Sequence, residues 1–134
     1  MALYRIAPAA PADAPIIHDI QMRAFAQEGR LSGTTQILPL LEEIASIENH
    51  IRTQTVMTAR DGVRVIGSAR GIADGSVCTL RGVSVDLSHQ GQGIGAALVG
   101  AVEGAHPGVA RFELRTNTLV AGNVQFYERR GYHV

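Results

Sequence analysis

The run SHQGQGIGAAL, from Ser88 to Leu98, sets three glycines at alternate positions: Gly91, Gly93 and Gly95. Glycine accepts backbone angles closed to other residues, so this loop turns tightly and exposes its amide hydrogens. It follows the apolar run VCTLRGVSV and opens a segment with helical apolar spacing. A helix that starts there offers unpaired N–H groups and the positive end of its dipole. Such an arrangement binds phosphate, specifically a diphosphate, along Gly91, Gln92, Gly93, Ile94, Gly95 and Ala96. No lysine follows the glycines, so this is not a Walker loop, and main-chain amides do the holding.

Other reactive side chains are sparse. Cys78 is the single cysteine, which rules out an intrachain disulfide and points to a reducing cytoplasm. Inside an expected strand it reads as a small buried hydrophobe rather than a nucleophile. Histidines at 18, 50, 89, 106 and 133 form no pair with ligand spacing, so no metal site is expected. His89, just before the glycines, reads as a surface loop residue or a cofactor contact. Glu42 and Glu43 fall on an expected helix and read as solvated. Arg70, Arg81 and Arg115 fall on expected strands, where they reach a substrate cleft or form salt bridges across the sheet.

These residues need elements to place them. Leu3 to Ile6 reads as a first strand. Asp13 caps a helix that has Pro15 in its first turn, with Ile16, Ile17, Ile20 and Ala24 on one face up to about Glu28. Gly29 to Gln36 is a polar loop. A second helix starts near Pro39 with the stripe Leu40, Leu41, Ile44, Ile47 and Ile51. The period then changes to two. Thr53 to Arg60, Val63 to Ile72 and Val77 to Val85 read as strands joined by Asp61-Gly62 and Asp74-Gly75, both hairpin signals. The glycine loop and its helix follow, stopped by His106-Pro107-Gly108. Ala110 to Arg115 is a further strand. Asn123 caps a last helix that ends at Arg129, Arg130 and Gly131. The order is β-α-α-β-β-β-α-β-α.

With 134 residues, the chain reads as a single domain, 1–134, able to bury a core. Its net charge of zero argues against a nucleic-acid surface. All twelve basic residues are arginine, as a GC-rich genome would give. The N-terminus lacks a signal pattern, and no apolar run approaches a membrane span. A soluble cytoplasmic protein is the expectation.

Two segments resemble the GNAT superfamily of acyl-CoA-dependent N-acetyltransferases, of bacterial type. VSVDLSHQGQGIGAALV is similar to the family's cofactor signature, with Gln90, Gly93 and Gly95 at its key positions. FELRTNTLVAGNVQFYERRGY is similar to its strand–helix segment, with Phe126-Tyr127 and Gly131-Tyr132 as the aromatic marks. The resemblance covers residues 3 to 134 and implies an α/β (α+β) fold. Its sheet would be mixed, mostly antiparallel, with helices on both faces and C-terminal strands short or missing. It implies transfer of an acetyl group from acetyl-CoA to a primary amine of a small molecule or peptide, by direct attack in a ternary complex.

The site residues follow from the same resemblance. Val83, Ser84 and Val85 lie where the fourth strand pairs with the pantetheine arm, through the amides of Val83 and Val85. Tyr127 stands at the general acid's position, against the reading of a tyrosine that only packs. Glu113 stands where some relatives carry a base, or is a solvated strand carboxylate. Val120 occupies a position where many members carry a cofactor-contacting Asn, a role that would pass to Asn123. Leu87 replaces a common proline. Relative to the family the sequence stops at Val134 about one strand and a hairpin early. This predicts either a longer natural chain or a homodimer that covers the edge of the Ala110 to Arg115 strand.

Two other readings compete. Gly91, Gly93 and Ala96 also satisfy the G-x-G-x-x-A pattern of a dinucleotide-binding oxidoreductase, with Glu113 about 20 residues on. Hairpin-joined strands upstream speak against its doubly wound sheet. A non-catalytic acyl-CoA sensor on the same fold is the second alternative.

Overall fold

β1 (Arg5–Pro8), β2 (Thr55–Asp61), β3 (Arg64–Asp74), β4 (Val77–Val85) and β5 (Arg111–Glu113) form one sheet, in the order β1-β2-β3-β4-β5. They are seen in a computed structural model that describes residues 4–32, 38–116 and 122–133. Pairing is antiparallel from β1 through β4 and parallel between β4 and β5. A parallel neighbour requires a crossover, and α4 (Ile94–Gly104) supplies it. The antiparallel hairpins exclude a doubly wound sheet, and with it the oxidoreductase alternative.

Both faces of the sheet are covered, as expected. Residues one apart on a strand face opposite ways, so Val65 and Ile66 enter different cores. Val56 and Val65 pack with Ala14, Ile17 and Ile20 of α1 (Ala14–Ser32) and Ile47 of α3 (Ile44–Thr53). Ala59, Ile66, Ala69 and Leu80 pack with Ile94, Leu98, Val99 and Val102 of α4. Cys78 is fully buried, and burial pushes its thiol pKa up, which suits a packing residue.

Several boundaries differ from the sequence reading. α1 continues through Gly29 to Ser32, because one glycine costs a helix only about 1 kcal/mol. Asp13 does not cap it. Its carboxylate instead accepts from the Ala10 N–H at 2.7 Å, closing a 3-10 turn over Pro11–Asp13, and pairs with Arg60. The expected second helix is split into α2 (Leu38–Leu41) and α3, with Glu42 and an extended Glu43 between them. β5 is shorter than expected, and α5 (Asn123–Glu128) follows Gly122, so Asn123 is its first residue rather than its cap. Gly131, at φ 92°, ends the last turn as expected. Leu3, the stretch 33–36, Val120 and Val134 lie outside the described residues.

One irregularity positions the site. In the β3–β4 ladder Ser68 pairs with Ser84 and Arg70 with Arg81, so Ala69 alone faces both Gly82 and Val83. This is a β-bulge, and Gly82 enters it with φ at +62°. A Cβ on Gly82 would lie 2.6 Å from Nη2 of Arg70 and 3.0 Å from Oε1 of Gln21. Gly82→Ala is therefore expected to destabilise the protein by about 1–3 kcal/mol, through backbone strain and overpacking. Chemical denaturation reads this directly, and an unchanged midpoint would contradict the close approach.

Candidate active site

The glycine loop is anchored from its start. Asp86, 5% exposed, follows β4 with its N–H bonded to the Ile66 carbonyl at 2.8 Å. Its carboxylate accepts from the Ser88 N–H at 3.1 Å, the Ser88 hydroxyl at 2.8 Å and Nη2 of Arg23 at 3.1 Å. Burial alone would raise the Asp86 pKa, but the bonds from Ser88 and Arg23 outweigh it and hold the value at about 2. A depressed carboxylate stabilises the fold above its unfolded value near 3.8 and loses that contribution as pH falls toward about 2. Asp86→Asn is accordingly expected to remove about 2 kcal/mol at neutral pH and to flatten the stability curve between about pH 4 and pH 2. Urea titrations across that range check it. A variant whose acid dependence matches the parent's would contradict the assignment.

Beyond this anchor, Gly91 and Gly93 take φ of 80° and 78°, and Gly91, Gln92 and Gly93 are exposed. A Cβ on Gly91 or Gly93 would meet nothing within 4 Å. Gly93 is the N-cap of α4, and having no side chain it gives the first turn no N-cap hydrogen bond. An uncapped, open helix start of this kind suits an anion. Not every residue of the expected cradle faces it. The side chain of Ile94 is in the core, and Gly95 makes room for Phe126, whose ring would lie 3.4 Å from a Cβ there. Through that contact α5 reaches the first turn of α4. His89 is half-buried, and its Nδ1 lies 2.9 Å from the Ser88 hydroxyl.

The loop meets the edge of β4 through Gln90, whose Nε2 donates to the Val85 carbonyl at 3.3 Å. Backbone groups alternate in direction along a strand. Because the Asp86 N–H points to β3, the amide of Val85 turns to the opposite edge, while Val83 lies in the bulge, where the alternation is interrupted. β5 pairs there only with Val77, Cys78 and Thr79, so among the described residues no strand partner covers the edge at Val83 and Val85. Ser84 is buried, and its hydroxyl donates to the Gly82 carbonyl at 3.2 Å.

A cavity of about 660 Å³ lies between β5 and α5, lined by Glu113, Leu114, Tyr127 and Tyr132 among others. Tyr127 and Glu113, the two expected catalytic residues, are both among its lining residues. Phe112 and Leu114 pack on the α4 side, so by strand alternation the Glu113 side chain leaves the sheet on the opposite face. Tyr127 meets Phe126 edge-on at 4.9 Å and Tyr132 at 6.0 Å between ring centroids. Tyr132 donates to Glu103 at 2.9 Å, and burial together with that carboxylate pushes its pKa well up. Glu113 is half-exposed and accepts from Nε of Arg111 at 2.8 Å. Asn123 sits one helical turn before Tyr127.

The sequence reading missed one cluster. Glu42, expected on a solvated face, has a side chain only 5% exposed and pairs with Arg70, itself 2% exposed. Nε2 of Gln21 donates to Glu42 at 3.0 Å and the Ser46 hydroxyl donates at 2.9 Å. Burial would raise the Glu42 pKa, but Arg70 and Gln21 outweigh it and hold it low. Burial and the neighbouring Arg70 lower His50, which is therefore neutral at pH 7. The signal was present in VIGSARGIA: a charge inside an apolar strand must find a partner. Spacing alone does not say which carboxylate answers it.

Among the described residues, no three His, Cys, Asp or Glu side chains gather as a metal site would need, and no helix is long and apolar enough to cross a membrane.

The family model for the acetyltransferase (GNAT) domain matches residues 52–134. The chain belongs to the GNAT acetyltransferase family, whose members carry out acyl transfer from acetyl-CoA. Solved structures share the fold. A GNAT-family protein from Xanthomonas campestris is 23% identical with a TM-score of 0.72, over 100% of this chain and 87% of its own. The ribosomal-protein-S18-alanine N-acetyltransferase of Escherichia coli is 20% identical with a TM-score of 0.78, over 97% of this chain and 77% of its own. A Mycobacterium tuberculosis protein in complex with CoA is 19% identical with a TM-score of 0.75, over 95% of this chain and 70% of its own. No curated protein sequence matches the chain at a significant level.

Proposed function

We propose that this protein transfers the acetyl group of acetyl-CoA to a primary amine of a small molecule or peptide, by direct attack in a ternary complex. The observation that carries this reading is the junction of the uncapped start of α4 with the uncovered edge of β4, bridged by Gln90. The amides from Gly91 to Ala96 hold the diphosphate, and those of Val83 and Val85 pair with the pantetheine arm. Asn123 adds a contact from the start of α5.

Acetyl-CoA supplies an activated thioester carbonyl. The amide beside it on β4 donates to the carbonyl oxygen as negative charge develops there, which is worth roughly 3 kcal/mol of barrier. As the amine nitrogen bonds to the carbonyl carbon, the C–S bond breaks. Tyr127 gives its hydroxyl proton to the departing sulfur, and Glu113 takes the proton that the nitrogen loses. Holding donor and acceptor side by side supplies most of the remaining acceleration.

A panel of primary amines incubated with acetyl-CoA and the purified protein tests this, with free thiol as readout. Amine-dependent thiol release is expected. Tight acetyl-CoA binding without release for any amine would favour the sensor reading.

A further inference from the structure

Arg70 and Arg81 stand directly opposite one another across the β3–β4 ladder. Arg70 also pairs with Val56, which places both arginines on the sheet face that α1 and α3 cover. Like charges at such a pair destabilise a sheet unless something offsets them. Here the offset is incomplete. Among the described residues Glu42 alone serves both: one carboxylate oxygen accepts from Arg70, and the other lies 3.5 Å from Nη2 of Arg81. His50, kept neutral, adds no charge. The cluster therefore holds one net positive charge, and among the described residues Nε and Nη1 of Arg70 are buried without a hydrogen-bond partner. Buried donors left unpaired are costly, so a surplus of this kind marks a place for an anion.

The cluster reaches solvent at Arg81. The side chain of Arg81 is 40% exposed, against 2% for Arg70. Arg81 immediately precedes the bulge at Gly82 and Val83, beside the β4 edge assigned above to the thioester. Glu113, paired with Thr79, leaves the sheet on this same face, because Thr79 and Arg81 are two residues apart on one strand. Arg81 and Glu113 are thus one strand and two residues apart, roughly 8 Å at the backbone, a gap that one small molecule bridges.

We propose that Arg81, backed by Arg70 and Glu42, receives a carboxylate on the acceptor. The acceptor class is then a primary amine with a carboxylate a few bonds away, as in a free amino acid. The amine of such a molecule faces Glu113 and the thioester while its carboxylate rests on the guanidinium fork. This inference rests on the acetyltransferase reading but is tested separately from it.

The test is calorimetry on CoA-loaded protein, with the standard free amino acids and their α-carboxamides as probes. At least one acid is expected to bind roughly ten- to hundredfold more tightly than its carboxamide, the range for a charge-assisted pair. Arg81→Met should bring that ratio to within about twofold of one, and Arg81→Lys should restore part of it, since lysine keeps the charge and loses the fork. Arg81 is exposed enough for both variants to fold. The proposal is overturned if no amino acid binds, if carboxamides bind as well as acids, or if the ratio survives Arg81→Met. Thiol release from acetyl-CoA supplied in place of CoA, with the same acids, carboxamides and variants, separates the two claims. Selective acid binding without release would sink the acetyltransferase reading and leave the anion site standing. Acetylation of amines without preference for acids would do the reverse.

Discussion

Gly93→Glu is expected to abolish acetyl-CoA binding, with affinity falling more than roughly a hundredfold. Three effects act together. The residue sits at φ +78° as the N-cap of α4, a conformation that costs a side chain about 1–2 kcal/mol. A glutamate there would put its side chain into the open space over the loop, where a diphosphate would lie. Its charge would also occupy the positive end of the helix and repel a second anion. Because nothing lies within 4 Å of the new Cβ, the core stays intact and the variant folds. Calorimetry with acetyl-CoA, beside a circular dichroism spectrum, is the measurement. Near-normal affinity in a folded variant would move the diphosphate elsewhere.

Tyr127→Phe is expected to lower kcat by roughly ten- to a thousandfold, as for loss of a positioned acid. The ring remains, so its edge contacts with Phe126 and Tyr132 persist, and acetyl-CoA affinity should stay within about twofold. A fall confined to kcat assigns the hydroxyl to the chemistry. If several amines turn over at the parental rate, Tyr127 is a packing residue beside the cavity.

Local patterns carried most of the fold into view. Period-two alternation, the Asp-Gly turns and the glycine run mark β2, β3, β4 and α4 because each signal lies within a few residues of its effect. The GNAT resemblance, carried by the two quoted segments, gave the sheet's mixed pairing in advance. The boundaries that moved are those decided by tertiary contact. Gly29 sits inside a helix because the helix gains more from packing than one glycine costs. The expected second helix breaks where Glu42 turns inward to Arg70. That pairing joins residues 28 apart in sequence, and no spacing rule announces it. The bulge at Gly82 was equally hidden, since a glycine in a strand signals several things until the register is known. For the candidate site, the phosphate loop was legible as chemistry, while Tyr127 and Glu113 were legible only through the family likeness.

The proposed activity moves an acetyl group from a thioester to an amine. Incubation with acetyl-CoA labelled in its acetyl carbon, an amine panel and the parent protein, followed by mass spectrometry of amines and protein, addresses it most directly. Label is expected on an amine nitrogen in one-to-one proportion with released thiol, and none on the protein at any time point. Thiol release accompanied by labelled protein, or acetyl-CoA bound tightly with no labelled amine, would contradict it.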